Sequence, residues 1–239
     1  MNSIFPFNDY IDLEFYLYED NEYKKVLVNL LELTKYIKAS KFYFGDYYND
    51  KLGDFNEDKL NEVLNCNWDK YENYFLTLHG IKKQFFNLRI SPFLKEVSVA
   101  KVRIHKAIFE KNKIKILDKC NNISKYSSTM YGFADASVSN PYFYKGYGQI
   151  KFGAHWLTWY GKWALQYFKD KHIEEIKDNS YDFVKKETFI RSQLYVSPWK
   201  YRSKQFHKTY RNFMRKVKIE DIVLEYNKKH EFSEIEKKN

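Results

Sequence analysis

The sequence predicts an α+β fold in a single domain over residues 1–228: a mixed or largely antiparallel sheet with helices packed mainly on one face, then a frayed tail at 229–239. Three observations carry this expectation. Segments that alternate apolar and polar residues, the period of a half-buried strand, are interspersed with segments whose apolar residues recur every three or four positions, the period of an amphipathic helix. Aromatic residues make up 20% of the chain, led by Tyr 22 and Phe 20, which is ample bulk for one sizeable core. Gly 8 and Pro 4 leave little material for long linkers between separate domains.

Taken in order, Tyr10 to Tyr18 alternates Ile11, Leu13, Phe15 and Leu17 with polar neighbours and reads as a strand. From Asn21 to Lys38 the period changes: Val26, Leu27, Leu30, Leu31, Leu33, Thr34 and Ile37 form a helical face, with Asp20 or Asn21 as its cap. Lys41 to Gly45 is a short strand, and Asp46 to Asp54 a polar turn region containing Gly53. Phe55 to Cys66 fits a helix with Leu60, Val63 and Leu64 inward; Asn56 and Asp58 supply acceptors and negative charge to its first turn. Tyr74 to His79 and Gln84 to Ile90 flank a turn at Gly80 to Lys83 and read as a hairpin closed by Pro92. Val97 to Ile104 extends the sheet, and His105 to Ile123 is expected to be a helix with Ile108, Ile114, Leu117 and Cys120 inward.

Tyr126 to Gly153 is the most irregular stretch. Small polar residues and glycine (Ser127, Ser128, Asp135, Ser137, Ser139, Gly146, Gly148) are mixed with Tyr131, Tyr142, Phe143, Tyr144 and Tyr147. That composition suits an adaptable recognition loop and equally a long connection over a sheet edge. His155 to Phe168 holds three of the five tryptophans. Wound as a helix, it gathers Trp156, Trp159, Tyr160, Trp163 and Tyr167 on one face, and so much aromatic surface is expected to dock on the sheet. Ile173 to Asp182 is polar and returns the chain to the sheet; Glu187 to Val196 alternates as a late strand ended by Ser197-Pro198-Trp199. Tyr201 to Lys218 reads as a helix with Phe206, Tyr210, Phe213, Met214 and Val217 on an apolar stripe, and Ile219 to Lys228 as a last short helix.

The sequence contains no evident catalytic site. The histidines (His79, His105, His155, His172, His207, His230) are spread without HExxH, HxH or HxxxH spacing, and Cys66 and Cys120 make neither a CxxC pair nor a disulfide framework. Ser137 and Ser139 are not in GxSxG, and Asp135 fits a turn. No GxGxxG or GxxxxGK[ST] loop is present, and an acid-plus-lysine grouping at Asp54, Glu57 and Lys59 fits a helix start better than a nuclease centre. Neither a metal nor another cofactor is expected. The first residues lack the basic and apolar regions of a secretory leader, and no run of about 18 apolar residues exists to cross a membrane, so the expected location is the cytoplasm.

What remains is binding. The net charge of +10 points to an acidic partner, whether protein, nucleic acid or an anionic surface. Its best-organised element is the stripe Lys204, Lys208, Arg211 and Arg215, at helical spacing opposite the apolar stripe. With Tyr142, Tyr144, Tyr147 and Trp199, residue types on which protein interfaces rely, it makes up the expected contact surface. Bound to nucleic acid instead, the same stripe gives sequence-nonspecific binding that weakens steeply with salt.

The order of elements in the C-terminal half resembles the Trp-rich α+β immunity proteins of bacterial polymorphic-toxin systems. The carrying residues are Lys115 to Cys120, Tyr131-Gly132, His155-Trp156-Leu157-Thr158-Trp159-Tyr160-Gly161-Lys162, Gln193-Leu194-Tyr195, Ser197-Pro198, and a helix from Tyr201 to Val217-Lys218-Ile219-Glu220-Asp221, roughly residues 112 to 222. The resemblance implies a cytoplasmic binding protein, active in interbacterial competition, that neutralises a cognate toxin by covering its functional surface, with no catalytic residues of its own.

Overall fold

Strand β1 (Tyr10–Tyr18) is the strand against which the rest of the sheet is laid. Its odd-numbered residues Ile11, Leu13, Phe15 and Leu17 are buried on one face; Asp12, Glu14 and Tyr16 point to the other. The computed structural model describes residues 9–18, 21–46, 53–65, 74–81, 83–89, 97–136, 142–146, 150–200 and 203–229. After β1 come α1 (Tyr23–Leu31) with a 3₁₀ turn (Glu32–Tyr36), β2 (Ala39–Asp46), β3 (Gly53–Asp54), α2 (Glu57–Asn65), β4 (Tyr74–Gly80), β5 (Phe85–Arg89), β6 (Val97–His105) and α3 (Lys106–Ile123). The second half runs β7 (Thr129–Ala136), β8 (Phe143–Lys145), β9 (Lys151–Gly153), β10 (Leu157–Gly161), α4 (Lys162–Leu165), α5 (Asp170–Asp178), β11 (Asp182–Lys185) and β12 (Phe189–Gln193). A 3₁₀ turn (Pro198–Lys200), α6 (Lys204–Val217) and α7 (Ile219–Lys229) close it. Ten strands form one sheet in the order β11-β12-β10-β7-β1-β6-β5-β4-β2-β3, antiparallel at each pairing, while β8 and β9 pair as a separate hairpin. The α+β class and the antiparallel sheet are as the sequence predicts.

The helices divide between both faces of the sheet, where the sequence reading put them mainly on one. On the first face α1 and α3 cover Leu13, Phe15, Leu76, Leu88 and Val102. On the second, α4 to α7 and the β8–β9 hairpin cover Tyr16, Tyr131, Phe133 and Tyr160. Of the caps expected for α1 and α2, only the second is in place. Asn56 Oδ1 accepts from Asp58 N–H (2.7 Å) before α2, as expected. Glu22 stands at the cap of α1 without capping it and instead accepts from the N–H (2.8 Å) and hydroxyl (2.9 Å) of Ser127. On α3 the inward face is Phe109, Ile116, Cys120 and Ile123. Ile114 was expected inward, but it lies about 150° around the helix from that stripe and is 78% exposed.

The largest departure is at His155 to Phe168, which is not one helix. Leu157–Gly161 is strand β10, hydrogen-bonded between β7 and β12, and only Lys162–Leu165 is helical. The tryptophans therefore separate: Trp156 and Trp159 enter the first-face core and Trp163 packs on the second. β7 departs likewise, being a wholly buried central strand cut from the stretch read as irregular. Asp135, read as a turn residue, lies within it. Both strands are covered on both sides, so neither shows the alternation that marks a half-buried strand, and a doubly buried run cannot be told from a helix by period. Gly132 lets the neighbours of β7 meet across it. It sits in register between Phe15 and Trp159, whose rings approach to 5.6 Å, and a Cβ there would lie 2.5 Å from the Phe15 ring. On the opposite face Tyr16, Tyr131 and Tyr160 form a row in the same register, at 6.1 and 5.6 Å.

Beyond β6 the second face changes character. Its cover reaches Val97 and Val99 on β6. Farther out, Phe86, Leu88, Leu76, Leu78 and Phe42 are buried on the first face, while their strand neighbours Phe85, Asn87, Phe75, Thr77 and Tyr43 on the second stay half-exposed and Arg89, His79 and Lys41 exposed. Residues 47–52 of the polar turn, Cys66, Pro92, Ser137, Ser139, Gly148, Tyr201 and the tail from His230, and the side chains of Lys59, Val63 and Leu64, lie outside the described residues.

Candidate functional site

Helix α6 is built by its two stripes. Phe206, Tyr210, Phe213 and Val217 are buried against the second face, and the same wheel leaves Lys204, Lys208, Arg211 and Arg215 exposed on the far side. Ser203 caps it, its hydroxyl accepting from Phe206 N–H (3.1 Å), and Lys218 ends it in a left-handed conformation (φ 56°) that turns the chain into α7. None of the four cations has a carboxylate within ion-pair distance among the described residues. Their charge is therefore not spent internally and is directed at solvent.

The β8–β9 hairpin brings two of the expected tyrosines beside α6 and α7. Tyr142 hydroxyl and His207 Nδ1 are 2.9 Å apart, and the Tyr142 ring packs 5.8 Å from Tyr210. His207 lies on the flank of α6 between its buried face and the basic stripe. Tyr144 is 40% exposed and donates its hydroxyl to Glu220 on α7 (3.4 Å). The stripe, Tyr142 and Tyr144 thus share one side of the protein.

Trp199 does not join them. It packs against α3 on the first face, 6.3 Å from Phe109, with its indole N–H on Glu110 and the Lys106 ammonium 4.9 Å over its ring. Its ring belongs to the first-face core, whereas the buried stripe of α6 belongs to the second. Tyr147 lies outside the described residues.

Beneath the hairpin is a buried ionic cluster that sequence reasoning missed. Glu14, 3% exposed, accepts from Lys101 (2.9 Å), Lys151 (3.1 Å) and the Tyr16 hydroxyl. Beside it Arg103 makes a two-pronged bond to Asp12 (2.7 and 2.8 Å). His155 lies flat on Phe133 (3.8 Å, 7°), with Nδ1 at Asp135 Oδ2 (3.3 Å) and Nε2–H donating to the Lys151 carbonyl (3.0 Å). Burial alone raises a carboxyl pKa, but the Lys151 and Lys101 ammonium groups and the Tyr16 hydroxyl outweigh it and hold Glu14 below its ordinary range. For Lys151 burial wins and lowers its value despite Glu14; burial, then Glu14, pushes Tyr16 well up. Glu14 and Asp12 each already have a cation, so the cluster is a clamp: Lys151 N–H donates to Tyr16 hydroxyl (3.2 Å) and Gly153 N–H to Tyr131 hydroxyl (3.3 Å), fixing the hairpin to the sheet. The available signal was charge at alternate positions, Asp12 and Glu14, on a strand whose polar side was read as facing water. Among the described residues no group of three His, Cys, Asp or Glu side chains is placed to hold a metal. Among them, too, no helix is long and apolar enough to cross a membrane.

No family model matches the chain, and no curated protein matches it. The fold is similar to that of a solved structure, the Pseudomonas aeruginosa T6SS protein PA0821, with a TM-score of 0.63 over 88% of this chain and 73% of that one, at 11% sequence identity.

Proposed function

We propose that this chain is an immunity-type protein that binds a cognate bacterial toxin and occludes its functional surface, working in the cytoplasm by binding and not by catalysis. The observation that carries the reading is the set of four cations on α6 that have no carboxylate partner among the described residues, seated by a buried opposite stripe and flanked by the clamped tyrosine hairpin. Unpaired surface charge on a rigid element steers an oppositely charged partner, so the toxin's contact surface is acidic. The fold shared with a bacterial T6SS protein agrees with this reading and bears on the fold alone. No membrane enters the proposal.

The test is a pull-down with tagged protein from its native host, with and without nuclease, followed by titration of the recovered protein against Arg211→Glu/Arg215→Glu. A stoichiometric protein that survives nuclease, and binds the double variant about tenfold or more weakly at low salt while thermal unfolding is unchanged, supports the reading. Unchanged affinity removes the stripe from it. The second reading, nucleic acid on the same stripe, rests on the same four cations and predicts recovered material that vanishes with nuclease and an affinity falling linearly on a log–log salt plot.

A further inference from the structure

The start of α5 and one stripe of α7 border a cavity of about 300 Å³, at the low end of small-molecule sites, which run from about 300 to 1,000 Å³. Tyr167 and Ile222, both buried, form its apolar wall. Lys169, Lys171 and His172 reach it from the α5 side, and Asp221, Glu225 and Lys228 from α7. His172 is 6% exposed and carries an unanswered donor. Its Nδ1 accepts from the Lys169 N–H (3.1 Å), which puts the proton of the neutral ring on Nε2, and that N–H has no acceptor among the described residues. The backbone adds two donors. The N–H groups of His172 and Ile173 turn back onto the Lys169 carbonyl (2.8 and 3.3 Å), leaving those of Asp170 and Lys171 at the open start of a nine-residue helix. The Asp170 side chain, the acid of this first turn, is not part of the cavity lining.

The charges around the cavity do not close on one another. Among the described residues Lys169, Lys171 and Lys228 have no carboxylate in ion-pair contact, and Asp221 and Glu225 have no cation. His172, Asp221 and Glu225 are not placed to hold a metal either. A phosphate, with nearly two charges and three strong acceptor oxygens, matches two ammonium groups and three N–H donors better than a carboxylate does, with one charge and two oxygens. Asp221 and Glu225 only accept, so the remainder of the ligand must donate, as hydroxyl groups do. We propose that this cavity binds a small phosphate ester bearing hydroxyl groups. The phosphate sits on Lys169, Lys171, the His172 Nε2–H and the start of α5, the hydroxyls donate to Asp221 and Glu225, and Lys228 adds a third positive charge. The site uses none of the residues assigned to toxin contact and stands independently of that reading.

The experiment follows the His172 Cε1–H signal of the full chain by NMR, assigned by its loss in His172→Gln, while ribose 5-phosphate or inorganic phosphate is added. Burial first, then Lys171 and Lys169, hold His172 below its ordinary value; Lys218 adds to this and Asp221 opposes it. A phosphate beside the ring stabilises the imidazolium, so binding raises the titration midpoint, and affinity grows as pH falls through it. The expected result is a saturable shift with both probes, the ester binding about tenfold or more tightly than inorganic phosphate. Lys169→Gln/Lys171→Gln weakens both about tenfold or more, and Asp221→Asn/Glu225→Gln erases the preference for the ester. All four positions are exposed, so these variants leave the core intact. No shift with either probe overturns the proposal, as does a shift that sodium chloride reproduces at equal ionic strength or one that survives Lys169→Gln/Lys171→Gln. Binding that needs the lysines but shows no preference for the ester overturns the hydroxyl assignment and leaves a site for the anion alone.

Discussion

Replacing Glu14 by Gln tests the buried clamp most directly. The substitution keeps the volume of the side chain and an oxygen for the Tyr16 hydroxyl, but leaves Lys101 and Lys151 facing an uncharged amide. Removing one partner of a fully buried ion pair costs about 3–5 kcal/mol, whereas exposed pairs contribute about 0–1. The Glu14 side chain is 4% exposed, but those of Lys101 and Lys151 are 40% and 26% exposed, so both ammonium groups recover part of their hydration. The expected loss at pH 7 is therefore about 1–3 kcal/mol. Its pH dependence has a definite sign. The folded-state value of Glu14 is held below the unfolded reference of 4.5, so the carboxylate stabilises fully above that reference and loses this contribution as pH falls through the lower folded value. Gln does not titrate there, so the gap between the two proteins is widest at pH 7 and closes in acid below 4.5. Urea unfolding followed by the fluorescence of the buried Trp156 and Trp159, from pH 7 to pH 3, measures it. A gap under about 0.5 kcal/mol at pH 7, or one that stays flat down to pH 3, refutes the ionic clamp, since ordinary surface substitutions stay within that bound.

Other outcomes follow from the packing. Gly161→Ala places a Cβ 1.8 Å from the Thr129 carbonyl, a backbone atom that cannot swing away, and is expected to cost about 3 kcal/mol or more; Gly53→Ala, with its nearest atom at 3.8 Å, is expected to stay within about 0.5 kcal/mol, both read by thermal unfolding. Trp159→Phe keeps the ring contact with Phe15 but loses the indole N–H bond to Asn121 (2.9 Å) and some bulk, for about 1–3 kcal/mol in urea unfolding; a null effect contradicts the placement of Trp159 in the sheet core.

Period is the property that a sequence carries by itself, and it reveals most elements with one wet side, though not α5, whose short polar run reads as a return to the sheet. The β4–β5 hairpin alternates visibly, and α1 and α6 show apolar faces, because water on one side forces a polar residue at each outward position; β1 alternates too, but its polar positions hold a buried ionic cluster. The exposed stripe Lys204, Lys208, Arg211 and Arg215 was legible for the same reason. Where both sides are dry the period disappears: β7 reads as loop and β10 as helix, since Trp156, Trp159, Tyr160 and Trp163 suit a helical wheel as well as they suit two opposite sheet faces. Only the tertiary structure decides between them, through the register that seats Gly132 between Phe15 and Trp159 and Tyr131 between Tyr16 and Tyr160. It also decides which charges are buried. Asp12 and Glu14 hold the polar positions of β1, and what places the Lys151 ammonium over Glu14 is a hairpin 137 residues later in the chain.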